Sequence, residues 1–393
     1  MSKYKTDIGY TLSIDEKYYN TLDIEGFSHM MKNPSFCYKF YWLEAIVQLI
    51  SENVTETTFD AVINEMICNA WYSVREFHIH LSGLIMDKKG EPQDGLERAV
   101  NILSKVSNLA SNASRVEIKN AIKVHEAELK TAKEQLTNMV PYRALAGFFQ
   151  KHDLNVNWES ISRLTAYIEE INSNVVLLPY TLGKSPKLKK EIYFQPAWIK
   201  MIQDNTVSIL GWIQFEKVKW LQNNNPEVPG LVYKLAPMDE KMRKLNNVRK
   251  LWEGILDLTE VRDVFTDKPL VSKNYDVDHF IPWSFVMNDE LWNLMPMDSS
   301  LNSSKSNYLP KWDPFFERFA RNQYMMYEMI HAKEGIHRLF ESCYRDNLHS
   351  IWAGQELYRK GNDKEEFCRI LCKNMEPVYD SARRQGYEIW NRG

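Results

Sequence analysis

Residues 275–310, YDVDHFIPWSFVMNDELWNLMPMDSSLNSSKSNYLP, differ in kind from the sequence on either side of them. A short β-like run over 275–280 is stopped by Pro282, and a second apolar run over 291–295 is stopped by Pro296. A proline lacks the backbone N–H that a central strand needs, so each proline predicts the end of a strand. The segment therefore predicts two short strands joined by a loop.

Asp298 follows the second apolar run and is a good helix N-cap. Its carboxylate can accept hydrogen bonds from the free N–H groups of a first helical turn. The polar stretch over 299–308 then predicts a helix. The local order is strand, loop, strand, helix.

The remainder of the chain has mainly helical spacing. Apolar residues recur three and four apart over 36–52 and 58–77, and helical patterns return over 206–224 and from residue 312 to the end. The sequence therefore predicts a mainly α protein. Helical N-terminal and C-terminal regions surround one small core of two strands and a helix.

Residues 115–140 carry the clearest helical pattern, with Pro141 ending it. Apolar positions alternate at spacings of four and three, which predicts one long helix that packs against another at a shallow angle. The partner helix can lie in the same chain or in a second copy. This apolar seam extends over only about three heptads, which favours a partner in the same chain. The seam consists of Ile118, Ile122, His125, Leu129, Ala132, Leu136 and Met139.

The chain has 393 residues, with 49 basic and 52 acidic side chains and a formal net charge of −3. This near balance excludes a nucleic-acid footprint over the whole surface. Charge is nevertheless concentrated locally, because 234–250 holds six basic and two acidic residues, and 241–253 predicts a basic helix. That helix is either a solvated face or a surface that follows the phosphates of a duplex.

The five cysteines are odd in number and scattered, which argues against a disulfide framework and favours a reducing compartment. The first twelve residues show no apolar core of a signal peptide, and no apolar run is long enough to span a bilayer. The sequence predicts a cytoplasmic protein with no membrane partner.

Two further groups could bind a metal. His78 and His80 stand near Glu76, and Cys368 and Cys372 stand one helical turn apart. A solvated edge and a buried helix stripe are the favoured interpretations, because no further ligand cluster lies nearby in the sequence.

Five residues of the 275–310 segment stand at fixed distances. His279 directly follows Asp278, an asparagine stands fourteen residues after the histidine and another twenty-three after it, and a lysine follows three residues later. The residues at these last three positions are Asn293, Asn302 and Lys305. This spacing resembles the HNH endonucleases, also called ββα-metal nucleases, and most closely the HNH domain of RNA-guided CRISPR effector nucleases. Asp276, Val277, Pro282 and Ser284 also fit that pattern.

The resemblance covers under a tenth of the chain, and no companion RuvC-like nuclease segment is present in the sequence. The rest is similar to uncharacterised bacterial HNH proteins with a helical N-terminal region. The predicted organisation is a helical sensing, partner-binding or DNA-binding region over 1–240, an HNH nuclease domain with its preceding basic helix over 241–312, and a helical region over 313–393.

The residue types suit metal-dependent phosphodiester hydrolysis. Histidine is a base at neutral pH and can take a proton from the attacking water, which is the role predicted for His279. A carboxylate and an amide oxygen suit Mg²⁺ (or Mn²⁺), so Asp278 and Asn302 are the predicted metal ligands. Asn293 is predicted to hold the loop that carries His279, and Lys305 to contact phosphate.

The geometry adds a condition. Successive strand residues point to opposite faces, so Asp278 and His279 should diverge, and the helix over 299–308 must cross the strands for Asn302 to face Asp278. Asp276 shares a face with Asp278, where a supporting role or plain exposure is favoured over metal binding. The final asparagine replaces the histidine of many HNH enzymes.

The resemblance implies an endonuclease that acts on DNA, in double-stranded form, with a possible role in anti-phage defence. Two alternatives stay open at this point: a ribonuclease with the same site, and a catalytically silent HNH protein that binds DNA or serves as a scaffold. A regulatory protein or a second copy of the chain is a further possible partner.

Overall fold

The computed structural model describes residues 12–391 except 33, 35, 86–91, 139, 159, 236–242 and 273, and except the side chain of residue 162. The fold is mainly α, as the spacing of apolar residues predicts. The described residues fall into two compact units, one drawn from 1–226 and 234–237 and the other from 227–233 and 238–393. The three-part division expected from the sequence stays a prediction.

The first unit is built from eleven described helices and one small sheet. The strands are β1 (Glu56–Thr58), β2 (Tyr180–Leu182) and β3 (Glu191–Phe194), which pair antiparallel in the order β1-β3-β2. The helices are α1 (Ile24–His29), α2 (Tyr38–Ser51), α3 (Phe59–Arg75), α4 (Gly95–Ser107), α5 (Arg115–Val124), α6 (Glu126–Leu136), α7 (Val140–Arg143), α8 (Ala146–Lys151), α9 (Ile161–Asn174), α10 (Pro196–Asp204) and α11 (Thr206–Asn224).

Helix α2 is the centre of this unit, because it is apolar on nearly every side and therefore packs on several neighbours at once. It contacts α3, α10 and α11. Its one buried carboxylate, on Glu44, lies 2.9 Å from the ammonium of Lys217 on α11, and Gln214 also donates to it. The ion pair lets a charged residue stand inside an apolar interface.

The predicted long helix over 115–140 is wrong in one respect, because the structure breaks it at His125. That residue has φ −106° and ψ 32°, and it ends α5 and precedes α6. Both α5 and α6 contact α3 and α4, and α6 packs mainly on α4. The buried seam residues pack inside the chain, as favoured from the sequence; Met139 lies outside the described residues.

Pro141 also acts differently from the prediction. Helix α6 already ends at Leu136, and Pro141 lies in the first turn of the short α7. A first turn needs no hydrogen bond from the proline nitrogen, so the ring is tolerated there.

The second unit surrounds an antiparallel strand pair with helices. The strands are β4 (Tyr275–His279) and β5 (Leu294–Asp298), and a 3₁₀ turn over Leu291–Asn293 leads into β5. The helices are α12 (Asn246–Leu256), α13 (Trp283–Val286), α14 (Ser299–Lys305), α15 (Trp312–Ala332), α16 (Glu334–Asn347) and α17 (Lys364–Arg384), and a π-helical turn covers Ala353–Leu357. Phe280 at the end of β4 packs on Phe319 of α15 with ring centroids 4.8 Å apart.

The strand–strand–helix order is confirmed, but Pro296 does not end its strand. The strand continues to Asp298, and Pro296 lies opposite Val277. The N–H of Phe280 donates to the carbonyl of Asn293 directly opposite, at 2.8 Å. Hydrogen-bonded pairs alternate along an antiparallel ladder, so Val277 and Pro296 form a non-bonded pair and the missing N–H costs no ladder bond.

Two helix boundaries are corrected. Asp298 caps α14 as predicted, but α14 ends at Lys305 because Ser306 turns to φ 43°. The basic helix begins at Asn246 and not at 241, since the N–H of Lys244 donates to the Asp289 carboxylate at 2.5 Å instead of entering a helix. Lys241 lies outside the described residues. In the part of the chain that is described, no helix is both long and apolar enough to cross a membrane.

Replacing Lys217 by methionine should leave the Glu44 carboxylate without its cationic partner in the apolar interface of the first unit. Removing one partner of a buried ion pair costs about 3–5 kcal/mol, so we expect a loss of that size in the free energy of unfolding. Urea denaturation followed by circular dichroism measures it. The matched control is Lys219→Met on the same helix, where the side chain is 38% exposed and a loss below about 1 kcal/mol is expected. Equal losses in both variants would contradict the structural role of the buried pair.

Candidate active site

Strand β4 sends its side chains to two faces. Tyr275, Val277 and His279 are buried on one face, and Asp276 and Asp278 lie half-buried on the other. The predicted divergence of Asp278 and His279 is confirmed. The imidazole and the two carboxylates therefore meet different neighbours.

His279 is fully buried and each of its ring nitrogens has a neighbour. Its Nε2 lies 3.1 Å from the carbonyl oxygen of Asn288 and 3.1 Å from a carboxylate oxygen of Asp289. The Asn288 carbonyl accepts at Nε2 with the Asp289 carboxylate beside it, and a guanidinium N–H donates at Nδ1, so the proton belongs on Nε2 and the lone pair on Nδ1. Nδ1 faces the guanidinium of Arg243 at 3.3 Å.

Asp289 is a site residue that the sequence reasoning missed. Burial alone would raise the pKa of its carboxyl, but the hydrogen bond and charge of His279, the N–H of Lys244 and the charge of Arg243 hold that pKa below its usual value. The carboxylate is therefore ionised at neutral pH and can stabilise a protonated imidazole. Its position ten residues after the histidine, in a loop, gave no periodic signal.

Lys305 on α14 is fully buried and binds β4 at two points. Its ammonium lies 2.8 Å from Oδ2 of Asp278 and donates to the backbone carbonyl of His279 at 2.7 Å. Burial pushes the pKa of the Asp278 carboxyl upward, but the charges of Lys305 and His279 and the hydrogen bond from Lys305 lower it on balance. Asp278 is thus an ionised oxygen donor beside the strand end.

Asn302 lies on the same side of α14, but its amide meets Asp276 and not Asp278. The amide nitrogen donates to Oδ2 of Asp276 at 3.3 Å, and Arg249 lies 3.6 Å from the other oxygen of that carboxylate. The predicted facing of Asn302 and Asp278 is corrected accordingly. The Asn302 amide thus meets the carboxylate two residues earlier in β4, further from His279 than the prediction required.

These residues form a donor set of hard oxygens. Asp276 and Asp278 project from one strand face, and the Asn302 amide reaches that face from α14. Mg²⁺ prefers such oxygens and keeps waters and substrate phosphates as its other ligands. Across the described residues no group of three or more His, Cys, Asp or Glu side chains is placed to hold a metal, so a complete protein cage is not what this site offers. A partial set of two or three oxygens fits an ion that also binds phosphate.

Asn293 clamps the chain that follows His279. Its side-chain oxygen accepts from the N–H of Ile281 at 2.8 Å, and its amide nitrogen donates to the carbonyl of Ile281 at 2.8 Å. The side chain is fully buried. These are the amide–backbone bonds expected from the sequence, and a part for Asn293 in the reaction stays a prediction.

Three described basic residues at and just ahead of α12 contact the second unit through their side chains. The guanidinium of Arg243 stacks over the ring of Trp283 at 5.3 Å, and the ammonium of Lys244 forms an ion pair with Asp346 at 2.8 Å. Arg249 donates to the carbonyl of Tyr275 at 3.0 Å.

The two other candidate metal groups find no further ligands among the described residues. His80 pairs with Glu97 at 2.7 Å, and burial lowers the pKa of His78 to about 4. Cys368 and Cys372 are half-buried along α17, and all five cysteines are free.

A family model described as HNH endonuclease matches residues 263–311, which contain β4, β5 and α14. No curated protein and no solved structure matches the chain. The match supports a nuclease domain in the second unit. The closer resemblance to CRISPR effector nucleases and a bacterial origin stay predictions.

Replacing Asn293 by alanine should leave both backbone groups of Ile281 buried without partners. Each unsatisfied buried group costs about 1–3 kcal/mol, so the free energy of unfolding should fall by about 2–4 kcal/mol. Urea denaturation with tryptophan fluorescence measures the change. Asn288→Ala serves as the control, because its side chain is exposed and only its backbone carbonyl is used at the site. A loss no larger than the control's would show that the clamp does not stabilise the strand end.

Proposed function

We propose that the chain is a metal-dependent HNH endonuclease that hydrolyses phosphodiester bonds in double-stranded DNA, with His279 as the general base. The observation that carries this proposal is the orientation of the imidazole, whose Nε2 is held by the Asn288 carbonyl beside an ionised Asp289. A histidine oriented in this way presents Nδ1 as a proton acceptor, which is the arrangement a water-activating base needs. The HNH family match to the same segment supports it.

Proton transfer from water would take place at Nδ1 of His279. The imidazolium that forms would be stabilised by Asp289, whose lowered pKa keeps it ionised while the ring carries its second proton. Asn293 would keep the base in place through the Ile281 backbone. The phosphate contact predicted for Lys305 does not fit its fully buried ammonium; we propose instead that Lys305 keeps Asp278 ionised and holds the carbonyl of His279.

Asp278 and Asn302 would hold one Mg²⁺ or Mn²⁺, with Asp276 as a further oxygen donor or as the acceptor that orients the Asn302 amide. When bound, such an ion polarises the scissile phosphate and neutralises charge on the leaving oxygen.

Arg243 must leave Nδ1 before a water can reach it, because His279 has no exposed surface while the guanidinium is in place. A phosphate of the substrate is a stronger partner for a guanidinium than a neutral imidazole nitrogen. We therefore assign Arg243 a role in binding the phosphate backbone near the site. Arg249 and Lys250 on α12 extend the same basic segment.

The catalytic groups do not distinguish deoxyribose from ribose, so a ribonuclease is the second candidate from the same site. A silent HNH fold that only binds DNA or another protein is the third. A regulatory partner or a second copy, and a role in anti-phage defence, are proposed by fold-level analogy.

Replacing His279 by alanine should reduce the cleavage rate at least about a hundredfold, the usual contribution of a positioned general base. The measurement is plasmid and RNA cleavage with Mg²⁺ or Mn²⁺. The control is His337→Ala, which alters a half-exposed histidine on α16. Full-rate cleavage by His279→Ala would refute the base assignment. Cleavage of RNA alone would favour the ribonuclease, and cleavage of neither substrate by wild type would favour the silent fold.

The Mg²⁺ dependence of cleavage should distinguish the proposed metal ligands from acidic residues nearby. In Asp278→Asn and Asn302→Ala, we expect the Mg²⁺ concentration for half-maximal cleavage to rise at least about tenfold, because each change weakens or removes an oxygen donor. Asp298→Asn is the control, since that carboxylate caps α14 instead. Crystals soaked in manganese should show an anomalous peak beside residues 278 and 302. Unchanged metal dependence in both variants, together with no such peak, would overturn the ligand assignment.

A further inference from the structure

The first unit contains a cavity of about 220 Å³ that the nuclease site does not use. It is bordered by the start of α2, the start of α4 and the end of α6, with α7 completing its wall. Its lining combines two cations, two aromatic rings and two side-chain amides, with apolar residues between them. These residues are Lys39, Arg143, Phe36, Tyr38, Gln93 and Gln135.

Two cationic side chains, those of Lys39 and Arg143, line this cavity. Neither Lys39 nor Arg143 forms an ion pair with any residue that the structure describes. Burial and, to a smaller extent, the charge of Arg143 together lower the pKa of Lys39 to about 8. Both side chains are half-buried at the cavity, so an anion bound there would be attracted by two charges that are partly shielded from water.

The helix that carries Lys39 adds to this imbalance. Lys39 is in the first turn of α2, which has no acidic residue in that turn and no side-chain cap from Cys37. The N-terminus of a helix carries partial positive charge from its free N–H groups, so a lysine there is unfavourable unless an anion neutralises both. The cavity is therefore lined by two cationic side chains, one of which stands in the first turn of a helix.

The remaining lining indicates what the anion is attached to. The rings of Phe36 and Tyr38 stack at 5.3 Å with an interplanar angle of 18°, and the Tyr38 hydroxyl accepts from the N–H of Gly95 at 2.6 Å. Leu136 and Val140 supply apolar surface beside them. A bare inorganic anion would leave this aromatic and apolar wall unused. A planar, partly apolar body with hydrogen-bonding edges would use both the rings and the two glutamine amides.

We propose that this cavity between α2, α4, α6 and α7 binds a free nucleoside monophosphate, with the phosphate between Lys39 and Arg143 and the base against the aromatic wall. A mononucleotide combines a negatively charged phosphate and a planar base in one small molecule. Arg143 also stacks near Trp158 at 6.0 Å, which orients the guanidinium while leaving its N–H donors for phosphate. This inference does not depend on the proposed nuclease activity, because it concerns residues of the first unit alone.

The test is calorimetric titration of the full chain with AMP, GMP, CMP and UMP in buffer containing EDTA, so that metal-dependent cleavage cannot contribute. The same titrations use inorganic phosphate, the four unphosphorylated nucleosides, and an oligonucleotide without a terminal phosphate. We expect at least one monophosphate to bind, and to bind at least about tenfold more tightly than either its nucleoside or inorganic phosphate.

Variants locate the binding. Lys39→Gln and Arg143→Gln should each weaken the affinity about ten- to a hundredfold, since each removes a charged hydrogen-bond partner of the phosphate. Lys184→Gln changes an exposed lysine of the same unit and should leave the affinity unchanged. Thermal melting by circular dichroism identifies any variant that fails to fold. If one charge variant does not fold, the affinity of the other tests the proposal.

Several results would overturn the proposal. They are no binding by any monophosphate, equal binding by the matching nucleoside, equal binding by inorganic phosphate, and wild-type affinity in whichever charge variants fold. Binding by the oligonucleotide alone would also overturn it, because the cavity would then serve a nucleic-acid backbone.

Discussion

The contact on which the second unit depends is the buried ammonium of Lys305 between the Asp278 carboxylate and the carbonyl of His279. A fully buried ammonium is tolerated only when it is paired and hydrogen-bonded, so α14 cannot move away from β4 without a large cost. The same contact keeps Asp278 ionised and fixes the backbone from which the imidazole projects. It also sets where α14 presents Asn302. One ion pair thus determines the relative positions of the proposed base and the proposed metal ligands.

The opposite face of β4 is organised by hydrogen bonds to backbone groups, with the ionised Asp289 and the Arg243 guanidinium beside His279. The Asn293 side chain hydrogen-bonds both the N–H and the carbonyl of Ile281. The Asn288 carbonyl determines which ring nitrogen of His279 carries the proton. Buried polar networks of this kind give a single arrangement when every member is satisfied. This separation of the two faces of β4 suits the proposed function. The face that would hold a cation is acidic and half-buried, whereas the face that orients the base is closed to water.

Sequence reasoning succeeded where local rules apply and failed where tertiary packing decides. The two-residue period of a strand separates Asp278 from His279, and the three-residue offset on a helix places Lys305 beside Asn302; both rules are local. The partner of Asn302 is Asp276 because of how α14 crosses the strands, which no spacing encodes. Asp289 comes from a loop whose turn passes through Met287 at φ 56°. Lys39 and Arg143 belong to separate helices far apart in the chain, so their shared cavity has no sequence signature at all.

The closed surroundings of His279 bear on how a nuclease of this design would be restrained. Arg243 covers the free nitrogen through a hydrogen bond to a neutral imidazole, worth about 1.5–3 kcal/mol, and a cation–π contact with Trp283, worth about 0.5–1 kcal/mol. A charge-assisted bond from the same guanidinium to a phosphate is stronger. In the proposed function, a polyanionic substrate would shift Arg243 away from the base by its differential affinity for the two arrangements, as any ligand-driven change requires. In the proposed function, the substrate that needs the base is also the ligand that uncovers it, so the free protein keeps its proton acceptor out of contact with water.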